Sequence, residues 1–301
     1  MPEAGKVVEA IENLLRRRVG APGSRPDVLI GLVGRGIQLS RSPAMHEREA
    51  ARLGLSCAYI LIDFDALDLS DDELAAAIDA AASLGFAGLN VTFPFKQSVM
   101  PLLDGVDTEA ASIGAVNTVV FGQRRTGHNT DCWGYAASFR AAMGGVALDH
   151  VVLFGAGGAG SAVAYALTTL GARRISIVDP DLSRASALAA RVEASETSAA
   201  AVSDPVLVLS DADGIVNTTP VGMASHPGTP FDTQLLRSSQ WVSDVIYFPS
   251  ETELLRQARV LDCRTLAGSG MAVGQAARAF ELFTGHPADV EAMKKHFGAA
   301  A

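Results

Sequence analysis

The chain has 301 residues, 49% of them hydrophobic and 19% charged, and a formal net charge of −9. That length accommodates two domains of ordinary size with large cores. The acidic balance argues against a nucleic-acid partner, which would need a basic stripe that the sequence does not show. No apolar run reaches membrane-spanning length, and the start lacks a long apolar core followed by a small-residue cleavage site, so a cytoplasmic protein with no membrane partner is expected.

Three cysteines, Cys57, Cys132 and Cys263, form no C-x-x-C pair and leave an odd count. They suggest a reducing compartment and packing thiols, not a disulfide frame. The six histidines show no metal-ligand spacing, so no metal site is expected.

In chain order, Lys6–Val19 carries Val7, Val8, Ile11, Leu14 and Leu15 at helical spacing, with Gly20 as its stop and the linker A-P-G-S-R-P after it. Arg16, Arg17 and Arg18 complement the dipole at the end of that helix. Val28–Val33 reads as a strand ending in G-R-G-I-Q-L-S-R-S-P, where Ser42 can cap a helix with Pro43 at its first position. Ala58–Asp63 is a second strand. Ser70-Asp-Asp-Glu73 is a capping box for a helix running to Gly85. Gly88–Val91 is a third strand, leading into T-F-P-F-K. Ala115–Phe121 and Thr126–Asn129 form a hairpin across G-Q-R-R, and a helix follows from about Asp131. Later elements are Leu182–Ala194 (helix), Gly214–Asn217 and Trp241–Val245 (strands) and Glu251–Ala258 (helix). After Leu266, G-S-G-M opens two final helices. Strand and helix alternate throughout, so two parallel-sheet units are implied.

Residues 151–181 give the first chemical signal. An apolar strand, V-V-L-F, feeds G-A-G-G-A-G, with Gly155, Gly157 and Gly160 in G-x-G-x-x-G order, and S-A-V-A-Y-A-L-T-T-L continues as a helix. The glycines allow a tight turn, close backbone approach to a pyrophosphate and close helix–strand packing, and the helix N-terminus attracts phosphate charge. Gly155, Ala156, Gly157, Gly158 and Ala159 are therefore candidate dinucleotide contacts. Asp179 closes the next strand at the spacing where an acid holds the adenine ribose. Other polar clusters fall at strand ends: Asn90-Val-Thr-Phe-Pro-Phe-Lys96, Gly114-Ala-Val-Asn-Thr118 and Gly127-His-Asn-Thr-Asp131. Their spacing alone does not show that they meet.

With these blocks the sequence resembles the shikimate and quinate dehydrogenase family from about Leu29 to Phe297. The matching motifs, in order, are L-S-R-S-P-A-M-H, N-V-T-F-P-F-K, G-A-V-N-T, N-T-D, G-A-G-G-A-G, N-T-T-P-V-G-M, D-V-I-Y and G-M-A-V-G-Q-A. The resemblance implies a two-domain α/β fold: a substrate domain over 1–130, completed by 266–301, and a Rossmann-like domain over 131–265, with the active site in the cleft between them. It makes Lys96 and Asp131 the catalytic pair, relaying the proton while the nicotinamide takes the hydride. Ser40 and Ser42 match the serines that bind the substrate carboxylate. Thr92, Asn117 and Gln275 match partners of the ring hydroxyls. Tyr247 matches a residue lining the same site, with a core aromatic as the alternative. Thr218, Thr219, Pro220 and Met223 match the loop bordering the cofactor, and Val245 and Gly268 match positions beside the nicotinamide. His46 reads as a packing residue rather than a base, and Cys132 as a small packing residue.

The informative departure follows the second strand of the glycine-turn unit. NADP-using members usually carry an Asn-Arg-Thr run there, followed by an arginine; this chain has Asp179-Pro180-Asp181 and keeps only Arg184. Two carboxylates repel a 2′-phosphate and Asp179 can accept from a free 2′-hydroxyl, so NAD is the expected cofactor, with NADP the alternative. The same blocks look most like the NAD-dependent quinate/shikimate branch, although members of that branch often have threonine in place of Ser42. The expected reaction is oxidation of the C3 hydroxyl of shikimate or quinate. Alternatives are NADPH-dependent reduction of 3-dehydroshikimate, an aminoshikimate-type substrate and, from another class, a catalytically silent metabolite-binding regulator. A homodimer is possible, and the role of the N-terminal helix is open.

Overall fold

A computed structural model describes residues 2–19, 25–193 and 196–299. Gly20, residues 21–24 of the expected linker, and Ala194 lie outside the described residues. The chain divides into two compact units, Met1–Thr130 with Ala276–Ala301, and Asp131–Gln275.

The first unit contains α1 (Pro2–Val19), β1 (Val28–Gly34), α2 (Ser42–Arg52), β2 (Cys57–Asp63), α3 (Leu74–Ser83), β3 (Gly88–Val91), β4 (Gly105–Val106), α4 (Thr108–Ile113), β5 (Thr118–Phe121) and β6 (Arg125–His128). Its sheet runs β2-β1-β3-β5-β6-β4; β1 pairs in parallel with β2 and β3, whereas β5 is antiparallel to both β3 and β6. The expected hairpin is therefore what makes this sheet mixed. Every residue of β1 is buried, because both faces of the strand are covered. Leu29 and Val33 join a core with Val7 and Ile11 of α1 and Ile78 of α3, while Val28, Ile30 and Leu32 pack on the other face with Tyr59 and Phe283. The N-terminal helix thus seals one face of this sheet. The capping box is present, Glu73 accepting from the Ser70 N–H at 2.8 Å, but it opens a 3-10 turn over Asp71–Glu73 that precedes α3.

The helix α5 (Thr130–Ala142) opens at the boundary and leads into β7 (His150–Phe154), α6 (Gly158–Thr169), β8 (Arg174–Val178), α7 (Leu182–Val192), β9 (Ser198–Ala201), α8 (Val206–Leu209), β10 (Gly214–Asn217), β11 (Trp241–Asp244), α9 (Glu253–Val260) and β12 (Arg264–Ala267). All strands pair in parallel, in the order β12-β11-β10-β7-β8-β9. This is a doubly wound sheet whose strand order reverses between β7 and β10. The helices α10 (Ser269–Thr284) and α11 (Val290–Ala299) close the chain, and the division into units falls within α10. No helix of the described residues is long and apolar enough to cross a membrane.

Two buried histidines connect this packing to pH. His46 on α2 lies 5.0 Å from the Tyr59 ring and about equally far from Phe280 and Phe283, at 6.0 and 6.1 Å, and neither of its nitrogens has a hydrogen-bond partner. Burial pushes its pKa down to about 3. His150 on β7 donates from Nε2 to Ser176 Oγ at 2.9 Å and accepts at Nδ1 from Arg174 at 2.8 Å; burial, then the arginine, lower its pKa. Both side chains bind a proton more readily in the unfolded chain than in the folded one. Stability is therefore fully present above the unfolded value near 6.5 and is lost as pH falls below it. Between pH 8 and pH 5 the His46 share of that loss is about 2 kcal/mol. Urea midpoints at the two pH values should show the fall in wild type and a clearly smaller one in His46→Phe; equal falls in both proteins would refute the assignment.

Candidate active site

In the first unit, the loops after β1 and β3 run side by side. The Arg35 N–H donates to the Phe93 carbonyl at 3.1 Å, and a Cβ on Gly34 would lie 2.4 Å from the Thr92 methyl, so only glycine permits this approach. The first loop carries Ser40 and leads into Ser42, the first residue of α2, and the second carries Thr92 and Lys96. The segment before β5 joins them, because Val116 N–H donates to the Lys96 carbonyl at 2.8 Å and Val91 N–H to that of Asn117, also at 2.8 Å. Ser40, Ser42, Thr92, Lys96 and Asn117 thus sit on three tied segments past the carboxyl ends of β1 and β3.

Asp63 organises the serine loop. Its carboxylate accepts from the Gly36 and Ile37 N–H groups at 3.0 and 3.1 Å and from the Gln38 amide at 2.8 Å. Burial alone would raise its pKa, but Gln38 and the surrounding backbone donors outweigh that and hold it below the usual carboxylate range. The expectation for Ser42 needs correction: the N-cap of α2 is Arg41, which makes no side-chain cap, and Ser42 is the first helical residue. Its N–H instead donates to Ser40 Oγ at 3.3 Å. With Pro43 immediately after it, the turn tightens one residue earlier than the serine pattern suggests.

Asn117 is buried. Its Oδ1 accepts from the Thr130 N–H at 2.8 Å and from Thr118 Oγ1 at 3.0 Å, and its Nδ2 donates to Thr130 Oγ1 at 3.0 Å. A backbone N–H can only donate, so the amide orientation is set. Asn90 extends the network, donating to Thr118 Oγ1 at 3.1 Å and accepting from the Tyr59 hydroxyl at 2.9 Å. Asn90, Tyr59 and Thr130 were not assigned as site residues from the sequence, although Asn90 opens the N-V-T-F-P-F-K block and Thr130 is the middle residue of the N-T-D one. A polar residue inside an otherwise apolar strand was the available signal.

In the second unit, Asp131 is buried in the first turn of α5, where the helix dipole favours a carboxylate. Cys132 beside it is buried as a packing residue. Gln275 lies on α10, whose Gly274 packs against Gly134 of α5. Tyr247 is 38% exposed after β11, which removes the core-aromatic alternative.

The glycine turn stands at the strand-order reversal. Gly155 has φ +100°, in the left-handed region, and a Cβ on Gly160 would meet the Gly155 carbonyl oxygen at 2.0 Å. Thr218, just past β10, donates to the Phe154 and Gly155 carbonyls at 2.6 and 3.0 Å, so the turn and the N-T-T-P loop adjoin. Gly157 N-caps α6 without any side-chain cap, and Gly158 and Ala159 form its first turn, a ready anion site. Asp179 follows β8 and accepts from the Ala156 N–H at 2.7 Å and the Asp181 N–H at 2.9 Å. Asp181 caps α7 through the Ser183 and Arg184 N–H groups. The exposed Arg184 guanidinium lies 3.4 Å from where a Cβ of Gly157 would stand. Gly268 packs against Val245, a Cβ there lying 2.1 Å from the Val245 carbonyl oxygen. Thr219, Pro220 and Met223 share the loop after β10.

A doubly wound parallel sheet with a glycine turn at its switch point defines a dinucleotide-binding enzyme class. The family description "Shikimate dehydrogenase substrate binding domain" matches residues 32–119, "Shikimate / quinate 5-dehydrogenase" residues 139–223, and "Shikimate 5'-dehydrogenase C-terminal domain" residues 268–296. A shikimate dehydrogenase (NADP(+)) of Streptomyces avermitilis is 52% identical over 87% of this chain and 91% of its own. A quinate/shikimate dehydrogenase (NAD(+)) of Corynebacterium glutamicum is 47% identical over 90% of this chain and 98% of its own. A solved quinate dehydrogenase from Corynebacterium glutamicum in complex with NAD is 46% identical, with a TM-score of 0.85, over 90% of this chain and 99% of that one. The chain belongs to the shikimate/quinate dehydrogenase family, oxidoreductases acting on CH–OH groups with a nicotinamide dinucleotide.

Gly160→Ala forces a methyl into the Gly155 carbonyl and should cost about 1–3 kcal/mol through overpacking. A lowered melting temperature together with weakened dinucleotide binding, read by calorimetric titration, is the expected outcome; an unchanged melt and affinity would contradict the close-approach argument.

Proposed function

We propose that this enzyme oxidises the C3 hydroxyl of shikimate or quinate with NAD in preference to NADP. The observation that carries the cofactor choice is Asp179, whose carboxylate stands at the end of β8 against the Ala156 N–H of the glycine turn. A carboxylate there accepts from a free ribose 2′-hydroxyl and repels a 2′-phosphate. Curated relatives include both NAD and NADP forms, and one feature favours the second reading, biosynthetic NADPH-linked reduction of 3-dehydroshikimate. The Arg184 guanidinium beside Gly157 is a donor fork of the kind that suits phosphate.

Gly155, Ala156, Gly157, Gly158 and Ala159 would hold the pyrophosphate and Asp179 the ribose. Arg184, Thr218, Thr219, Pro220 and Met223 would border the dinucleotide, with Val245 and Gly268 beside its reactive ring. The chemistry supplied by a bound nicotinamide is acceptance of hydride from the carbinol carbon. Ser40 and Ser42 hold the substrate carboxylate, where the start of α2 favours negative charge. Thr92, Asn117 and Gln275 pair with ring hydroxyls, each unpaired partner costing about 1–3 kcal/mol. Tyr247 covers the substrate, and Lys96 with Asp131 moves the C3 hydroxyl proton.

The deciding measurement is kcat/KM for NAD and NADP with both acids. NAD preference with activity on shikimate or quinate is expected, and a clear NADP preference would overturn the reading of Asp179. Lys96→Ala should lower kcat by about 10²–10⁴-fold while dinucleotide affinity, titrated separately, stays near wild type. If wild type oxidises neither acid and Lys96→Ala changes nothing, a silent regulator becomes the better reading.

A further inference from the structure

The second unit buries one carboxylate that the roles above do not use. Asp244 closes β11, is 1% exposed and has no ion pair among the described residues. An unpaired buried carboxylate is costly unless donors surround it, and here three do. Oδ1 accepts from the Ile246 N–H at 3.0 Å and from Asn217 Nδ2 at 3.2 Å, and Oδ2 accepts from Thr252 Oγ1 at 2.7 Å. These donors come from two segments, Asn217 from the end of β10, and Ile246 and Thr252 from the stretch after β11.

Asn217, wholly buried at the end of β10, has all of its amide capacity in use. Besides Asp244 it donates to the Val221 carbonyl at 2.9 Å, and its Oδ1 accepts from the Thr219 N–H at 3.0 Å and the Thr219 hydroxyl at 2.7 Å. Thr252 N-caps α9 with the hydroxyl that donates to Asp244. Between the loops, Gly222 (φ +117°) leaves room for Ile246, whose Cδ1 would lie 3.1 Å from a Cβ there. The N-T-T-P-V-G-M and D-V-I-Y motifs, separate in the sequence, are therefore joined by one carboxylate–amide pair. On one side of the joint hang Thr219, Pro220 and Met223, which is 41% exposed; on the other hang Val245 and Tyr247.

We propose that Asp244 is a positioning residue for the dinucleotide, its carboxylate locking the loop after β10 to the loop after β11 so that Met223, Val245 and Tyr247 are presented in one fixed arrangement. An acid serves better than an amide because the Ile246 N–H and the Asn217 amide can only donate, so an asparagine would have to turn its NH2 toward the Thr252 hydroxyl, whose oxygen already accepts from the Leu255 N–H at 3.4 Å and whose proton would lose its acceptor. An apolar residue of similar size would remove the desolvation cost but leave the Asn217 and Thr252 donors without an acceptor. The lock acts through the loops and touches neither hydride nor proton. It rests on the dinucleotide reading above.

The test uses the full-length chain and whichever of NAD and NADP the wild type binds more tightly, titrated by calorimetry, together with steady-state kinetics and a thermal melt. Asp244→Asn should raise Kd and KM for the dinucleotide about tenfold, with kcat changed less than threefold. Thr252→Val, which keeps the carboxylate and removes one donor, should raise Kd several-fold, and Thr252→Ser should restore it. Dinucleotide affinity within twofold of wild type in both Asp244→Asn and Thr252→Val, whatever their melting temperatures, overturns the proposal. If Asp244→Asn does not fold, the Thr252→Val and Thr252→Ser pair decides. A wild type that binds neither dinucleotide overturns the underlying reading before any variant is compared.

Discussion

The second unit depends on how closely backbone can approach backbone where β7 meets α6. A Cβ at Gly160 would overlap the Gly155 carbonyl, and Gly155 itself takes a left-handed φ. Those two conditions let the helix start directly behind the strand, with its uncapped N-terminus at the switch point of the sheet. Thr218 then ties the neighbouring loop to the same turn, its N–H donating to the Phe154 carbonyl and its hydroxyl proton shared between the Phe154 and Gly155 carbonyls. Without the approach at Gly160 the helix would shift off the strand, and its first-turn N–H groups would lose their direction.

Around this constraint, loops are placed by buried polar side chains. Asp63 gathers the N–H groups of the loop that carries Ser40 and leads into Ser42; Asn117 clips the start of α5 through Thr130; Asn217 and Asp244 join the two loops after β10 and β11. Each buries polar atoms that would be expensive alone and are tolerable because the bonds are mutually satisfied. Strands offer a rigid base, and these side chains carry that rigidity one residue further, into segments that have no ladder of their own. The units differ accordingly: the first carries hydroxyls, amides and a lysine on its tied loops, and the second carries the N–H groups of the glycine turn together with Asp131 and Asp179.

Much of this was legible in the sequence because local chemistry and long-range role coincide. The run V-V-L-F followed by spaced glycines identifies β7 and α6, and S-D-D-E identifies the start of the next helical segment, since each pattern satisfies its own backbone. Less visible were β4, a two-residue strand, and β9, whose S-A-A-A carries no strand propensity and exists because β8 offers it a parallel edge. Serine before proline looks like a helix cap, but in the folded chain Arg41 is the N-cap of α2 and Ser42 is already its first helical residue. Asn90 passed without a role, since an amide within a strand gains meaning only when Thr118 and Tyr59 come alongside.

The sequence by itself determined the alternation of strand and helix, the glycine turn, the acid at Asp179 and the ordered motifs that mark the family. These are short-range patterns, read within a few residues of one another, and the backbone needs of a turn or cap dictate them. Only the tertiary structure decided the mixed pairing of the first sheet, the reversal of strand order between β7 and β10, and the bonds joining N-T-T-P to D-V-I-Y. Those depend on which strands share edges, and edge sharing brings together donors and acceptors that lie, like Asn217 and Asp244, 27 positions apart in the chain.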